Sequence, residues 1–170
     1  MKNLSLLCAL LCVFILSSCN AVSVTTDYDK SANFSSYKTY AFHEKGITKL
    51  KINDLDKRRI VAAIDAEMAA KGFTKVTSNA DLVVNILASS SQELYVNNNY
   101  GYYGYWGNSY ANVSEYTSGK IIIDIIDDKK NILVWQGIGS GLNVDNIAAK
   151  SEKIPQAINE VLTKFPPLNK

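Results

Sequence analysis

A chain of 170 residues suits one domain with a substantial core, because at this length about 70% of the unfolded surface is buried on folding. Its 18 Lys and Arg face 16 Asp and Glu, and a net charge of +2 supplies neither a field for nucleic acid nor a polybasic membrane patch. All three cysteines, Cys8, Cys12 and Cys19, fall in the first nineteen residues, and His43 is the one histidine. Beyond Cys19 the chain therefore has no disulfide, no thiol nucleophile and no Cys/His zinc set of its own.

Lys2 and the uncharged, almost wholly apolar run from Leu4 to Leu16 read as a secretory signal. The run is shorter than the ~20 residues that span a bilayer and has the length of a signal h-region. It ends Leu16-Ser17-Ser18-Cys19, small residues directly before a cysteine. That is the form of a bacterial lipoprotein signal, in which the cysteine thiol is acylated and the bond before it is cut. We expect residues 1–18 to be a cleaved signal peptide, Cys19 to carry palmitate-type lipid, and residues 19–170 to form a single lipid-anchored domain. Two or more acyl chains anchor stably where one does not. Asn20, rather than Asp, follows the cysteine, which by similarity to Gram-negative sorting favours the outer membrane. No acidic cluster follows Cys19, which favours the periplasmic face.

Val22, Val24 and Thr26 alternate and predict a first strand almost at the lipid. The three residues from Cys19 to Val22 reach only about 10 Å, so the domain is expected close to the leaflet. Asp29 to Ser36 is turn-like, with Phe34 and Tyr37 folded back onto the core, and Lys38 to Phe42 predicts a second strand. Lys45 to Lys51 reads as a basic, irregular connection, and Lys49, Lys51, Lys57, Arg58 and Arg59 as a solvated face. Residues 54–71 predict a helix capped by Asn53 or Asp54, with Ile60, Ile64 and Met68 on its apolar stripe. Glu67 and Lys71 have the spacing of a favourable ion pair, and Gly72 that of a left-handed helix end. Asp81 to Ala88, continued by Gln92 to Val96, predicts a third strand; Gly119 to Ile126 and Ile132 to Ile138 predict a fourth and fifth. The last two form a hairpin around Asp127-Asp128-Lys129-Lys130-Asn131. The run Ile121-Ile122-Ile123 suggests a strand covered on both faces. A closing helix is predicted over 151–165, capped by Ser151 and stopped by Pro166-Pro167. The order ββαβββα predicts an α+β fold, a mostly antiparallel sheet of about five strands with two helices on one face.

The chain resembles the bacterial lipoproteins built on domain of unknown function 4136. The resemblance rests on Val24-Thr25-Thr26-Asp27-Tyr28-Asp29, on Phe34 through Phe42, on Ala70-Lys71-Gly72-Phe73 and on Ala80-Asp81-Leu82-Val83-Val84. It continues through Gly119 to Asp127, Val134-Trp135-Gln136-Gly137 and Phe165-Pro166, so that it covers nearly the whole mature domain. It implies the fold and an envelope location. The family has no assigned activity, so it implies no catalytic residue and no cofactor.

Residues 97–112 hold Tyr100, Tyr102, Tyr103, Tyr105, Trp106 and Tyr110 among asparagines and glycines. A core's aliphatic residues are missing there. Aromatic rings with polar edges suit a protein or glycan surface, because they bring large area at low entropic cost; the alternative is a loop whose rings pack together or on the membrane interface. If the stretch extends a hairpin, eight residues per arm would project about 26 Å. Gly137, Gly139 and Gly141 alternate, which places them along a strand rather than in a nucleotide loop; there they admit a close helix or ring, or a bend. Asp124, Asp127, Asp128 and Asn131 lack the pattern of a calcium loop, and a hairpin turn accounts for Asp127, Asp128 and Asn131. His43 has no Gly-x-Ser-x-Gly nucleophile to serve. We expect no catalytic residue, metal or cofactor. The reading is a non-enzymatic, lipid-anchored module whose partner is an envelope protein or glycan; the alternative is an envelope hydrolase using carboxylates the sequence does not reveal.

Overall fold

In the computed structural model, residues 22–97 and 112–167 are described, apart from the side chains of 93–97 and 112–116. Three strands that alternate apolar and polar build the centre: β4 (Leu82–Asn97), β5 (Asn112–Asp127) and β6 (Ile132–Asn143). Leu82, Val84 and Ile86 of β4 lie on one face with Ile121, Ile123 and Ile125 of β5 and Trp135 of β6, all buried. β1 (Ser23–Tyr28) closes one edge against β6, with Val24 across from Gly139. β2 (Thr39–Phe42) lies on the other side of β4, and the two-residue β3 (Thr74–Lys75) forms the far edge. The order is β1-β6-β5-β4-β2-β3.

The sheet thus has six strands, not about five, and is mixed: β2 runs parallel to both β4 and β3. The cause is the intervening helix, because a strand–helix–strand crossover returns the chain in its starting direction. A short helix α1 (Glu44–Lys49) stands where an irregular connection was expected. It buries no residue and contains Gly46, so it left no apolar period to read.

Helix α2 (Asp54–Ala70) begins as its sequence dictates: the Asn53 side chain accepts from the Asp56 N–H, 2.9 Å. It buries Ile60, Ile64 and Met68, and Gly72 follows at φ +84°. Glu67 does not pair with Lys71. It accepts instead from Asn159 Nδ2, 2.6 Å, tying α2 to α3 (Lys150–Leu162). Ser151 is not the cap of α3. Ala149 holds that position, the Ala149 N–H is taken by Asn146 Oδ1, and Ser151 lies inside the helix with its hydroxyl donating to Ala148 O.

Both long helices cover the same face of the sheet. Gly137 and Gly139 explain how α3 approaches so closely: a Cβ on Gly137 would collide with the Trp135 ring and Val161 Cγ1, and one on Gly139 would lie 2.9 Å from Val161 Cγ2. Gly141, at φ +90°, bends the end of β6. Phe34 and Tyr37 fold onto the core as expected, and Phe165 meets Phe34, Phe73 and Trp135 at 5.3–6.0 Å. Neither long helix covers the opposite face of the sheet, which only the short α1 reaches, with Gly46 against the Asn85 side chain. Ile122 is therefore half-buried there rather than enclosed, because only Ile121 and Ile123 point to the helices.

Candidate functional site

The β4–β5 ladder is longer than the sheet that supports it. Pairing runs without a break from Leu82↔Asp127 to Asn97↔Asn112. β2 covers β4 only at Leu82, Val83 and Val84, and β6 leaves β5 at Ser118↔Asn143. The pairs from Gln92↔Thr117 to Asn97↔Asn112 stand beyond any third strand, an arm of about 20 Å at ~3.3 Å per residue. Its root is clamped: the Val144 N–H donates to Thr117 O, 3.0 Å, and the Thr117 N–H to Asp145 Oδ2, 2.7 Å. Hydrogen bonding from the Thr117 side chain, with that backbone bond, holds the Asp145 carboxyl below its ordinary pKa. Tyr100, Tyr102, Tyr103, Tyr105, Trp106 and Tyr110 lie outside the described residues, as does Cys19; the structure supplies the arm to whose tip the aromatic stretch is joined.

The register also fixes which end of the sheet the arm leaves. Ser23 pairs with Ser140, Ser140 with Lys120, and Lys120 with Ser89. Val22 is thus at the arm's end, its N–H donating to Glu160 Oε2 at 3.3 Å, and the turn 128–131 is at the opposite end. In that turn Asp127 and Asn131 act as the sequence implied: Asp127 accepts from the Lys130 N–H, and Asn131 takes φ +54°. Buried Asp127 also accepts from Tyr37 Oη, 2.8 Å. Burial, reinforced by that bond, raises the Tyr37 pKa to about 12.

At the root of the arm a cleft of about 230 Å³ opens between the first turns of α2 and α3 and the ends of β4, β5 and β6. Ile60, Ile121, Leu142, Ile154 and Ile158 form its walls, and Ala88, Gly119 and Gly139 leave its space. One carboxylate belongs to it. Asp56, 6% exposed, accepts from Arg59 Nη1 at 2.7 Å, Asn53 Nδ2 at 2.7 Å and Lys150 Nζ at 3.0 Å. Burial alone would raise its pKa, but the bonds from Lys150, Arg59 and Asn53 outweigh burial and hold it low. The sequence reading missed this cluster, placing Arg59 on a solvated face when it is half-buried. Asn53, Asp56 and Arg59 at steps of three on one helix were a signal. Lys150, from a different helix, was not foreseeable.

On the face away from the two long helices a polar row crosses the sheet, with Gly46 of α1 against its Asn85. Gln136 Nε2 donates to Asp124 Oδ1, 2.7 Å, and Asn85 Nδ2 to Asp124 Oδ2, 3.4 Å, leaving Asn85 Oδ1 3.2 Å from exposed His43 Nδ1. Asp124, in β5, is the centre of this row. With Asn85 so oriented, Nδ1 of His43 carries the proton and donates, and the ring's partner is an amide rather than a carboxylate. Among the described residues no group of three or more His, Cys, Asp or Glu is placed to hold a metal, and no helix is long and apolar enough to cross a membrane.

A single mixed sheet with two helices on one face and an overlong β4–β5 arm defines an α+β class of fold. The family model for a domain of unknown function (DUF4136) matches residues 24–167, and the chain belongs to that family. No curated protein matches it. Among solved structures, a PDZ domain protein from Parabacteroides distasonis is similar at 15% identity and a TM-score of 0.56, over 86% of this chain and 36% of that one. This chain thus spans about a third of that protein's length. PelC from Paraburkholderia phytofirmans, solved as a dodecamer, is similar at 14% identity and a TM-score of 0.50, over 83% and 94% of the two chains. At such identities the likeness is one of fold.

Proposed function

We propose that this protein is a lipid-anchored envelope module, held by Cys19 at the periplasmic face of the outer membrane, whose β4–β5 arm presents the Tyr/Trp stretch to a partner. The observation that carries this reading is the arm itself. A two-stranded ribbon standing free of its sheet is marginal in water, and among the described residues no third strand pairs with this one. A chain that maintains sixteen-residue strands on both sides of such a stretch uses it for contact. The partner is an envelope protein or glycan lying close to the leaflet, because the arm leaves the domain at the same end as Val22, three residues from the anchor. The hydrolase alternative calls for two convergent acids with raised pKa in a cleft. Among the described residues the cleft here holds one carboxylate, Asp56, and it is held low rather than raised.

The test places a photoreactive residue at Tyr103 and, in a second strain, at Lys129 in the opposite turn. A discrete protein or peptidoglycan adduct from Tyr103 and none from Lys129 is expected in intact cells. Adducts from neither position, or equally from both, would remove the arm from consideration. Cys19→Ala is expected to release the protein from membranes.

A further inference from the structure

The cleft at the root of the arm has a chemistry of its own. Its walls are hydrocarbon on three sides, from Ile60 of α2, Ile154 and Ile158 of α3, and Ile121 and Leu142 of the sheet. Its volume of about 230 Å³ lies below the ~300–1,000 Å³ of sites for bulky ligands, and suits a slender chain entering from the mouth. At one end the charges do not balance. Asp56 is matched by two cations, Arg59 at 2.7 Å and Lys150 at 3.0 Å; Asp145 also faces Lys150, but Lys51 and Lys120 line the same cleft, so cations outnumber carboxylates there. Lys150 lines the cleft with its side chain only 16% exposed, and an ammonium has three donors, of which Asp56 takes one. A half-desolvated cation beside an apolar slot matches an anionic head on an alkyl chain, and matches a neutral hydrocarbon poorly.

We propose that the cleft binds a single fatty acyl chain as the free acid, its hydrocarbon along Ile121, Leu142 and Ile158 and its carboxylate at Lys150. This site stands independently of Cys19 acylation and of the arm's partner. Ala88, half-buried at the rim, is the position at which a larger side chain closes the cleft with least disturbance of the core.

The experiment uses the purified full chain, exchanged from detergent into an amphipathic polymer, with a palmitic acid analogue carrying a mid-chain diazirine. After irradiation the adducts are mapped by peptide mass spectrometry. Labelling is expected on the segments around Ile121, Leu142 and Ile158. It is lost in Ala88→Phe with the circular dichroism and melting temperature retained. At limiting probe it falls about tenfold in Lys150→Gln and is kept in Lys150→Arg. Labelling undiminished by Ala88→Phe would overturn the site. A long-chain alcohol probe labelling as well as the acid, or Lys150→Gln labelling as wild type, would overturn the fatty acid as its ligand. Recovery of the chain's own N-terminal lipid in the cleft, excluding the probe, would overturn it in favour of that occupant.

Discussion

Asp81 shows how much one carboxylate can hold. Its Oδ2 accepts from the Lys38 N–H at 2.9 Å, the Thr39 N–H at 3.1 Å and Thr39 Oγ1 at 3.0 Å, while its own N–H donates to Thr39 Oγ1. The start of β2 is thereby fastened to the start of β4, where only three residue pairs join the two strands. The two backbone N–H groups are the largest cause of a pKa lowered to about 2 from 3.8; partial burial opposes them, and Lys129 adds a weaker contact at 3.3 Å. A carboxyl whose folded pKa lies below its unfolded one stabilises the fold above the unfolded value and loses that contribution as pH falls through the folded value. Stability should therefore decline between about pH 4 and pH 2, with Asp56 and Asp127, also held low, adding to the slope. Asp81→Asn is expected to cost about 1–2 kcal/mol at neutral pH and to flatten that decline. Denaturant unfolding at pH 7, 4 and 2.5 measures both, and a variant with the wild-type slope would show that Asp81 is not the group responsible.

Among the elements, the arm is the one whose removal should leave the rest intact. Among the residues whose side chains are described, the buried contacts of β4 and β5 with the helices lie on the body side of Ser91↔Ser118, and β6 stops there. Replacing residues 93–116 by a two-residue turn is expected to move the melting temperature by no more than a few degrees. A loss of the cooperative transition would mean that the arm packs on the body. Elements whose signals are local were legible in the sequence. α2 was readable from Asn53, the stripe Ile60-Ile64-Met68 and Gly72; the β5–β6 hairpin from its turn; and the glycines of β6 from their two-residue spacing. What escaped depends on the partner across space. Ser89-Ser90-Ser91 looks like an interruption of β4, but pairs unbroken with Ser118-Gly119-Lys120. β3 is two residues long and exists only because β2 lies beside it. The Asp56–Lys150 contact joins the starts of two helices that no local pattern connects.

For the whole molecule, the decisive relation is between the arm and the N-terminus. Antiparallel pairing of β1, β6, β5 and β4 brings Val22 and the root of the arm to one end of the sheet and the 128–131 turn to the other. The ten residues from Leu82 to Ser91 separate those ends by about 30 Å. The tether from Cys19 to Val22 reaches about 10 Å, half the length of the arm. An anchor at Cys19 would therefore put the root of the arm at the membrane end of the domain and the 128–131 turn at the far end. Spin labels test this in reconstituted bilayers. With the leader removed and Cys19 acylated no other thiol remains, so Ser91→Cys and Lys129→Cys each carry a single label at an exposed position. The Ser91 label is expected to collide more with lipid-soluble oxygen than with a water-soluble nickel chelate, and the Lys129 label the reverse. Equal collision ratios at the two sites would mean that the domain tumbles freely on its tether, and the reverse order that it stands with its arm outward. In either event the arm's partner would have to be sought away from the membrane plane.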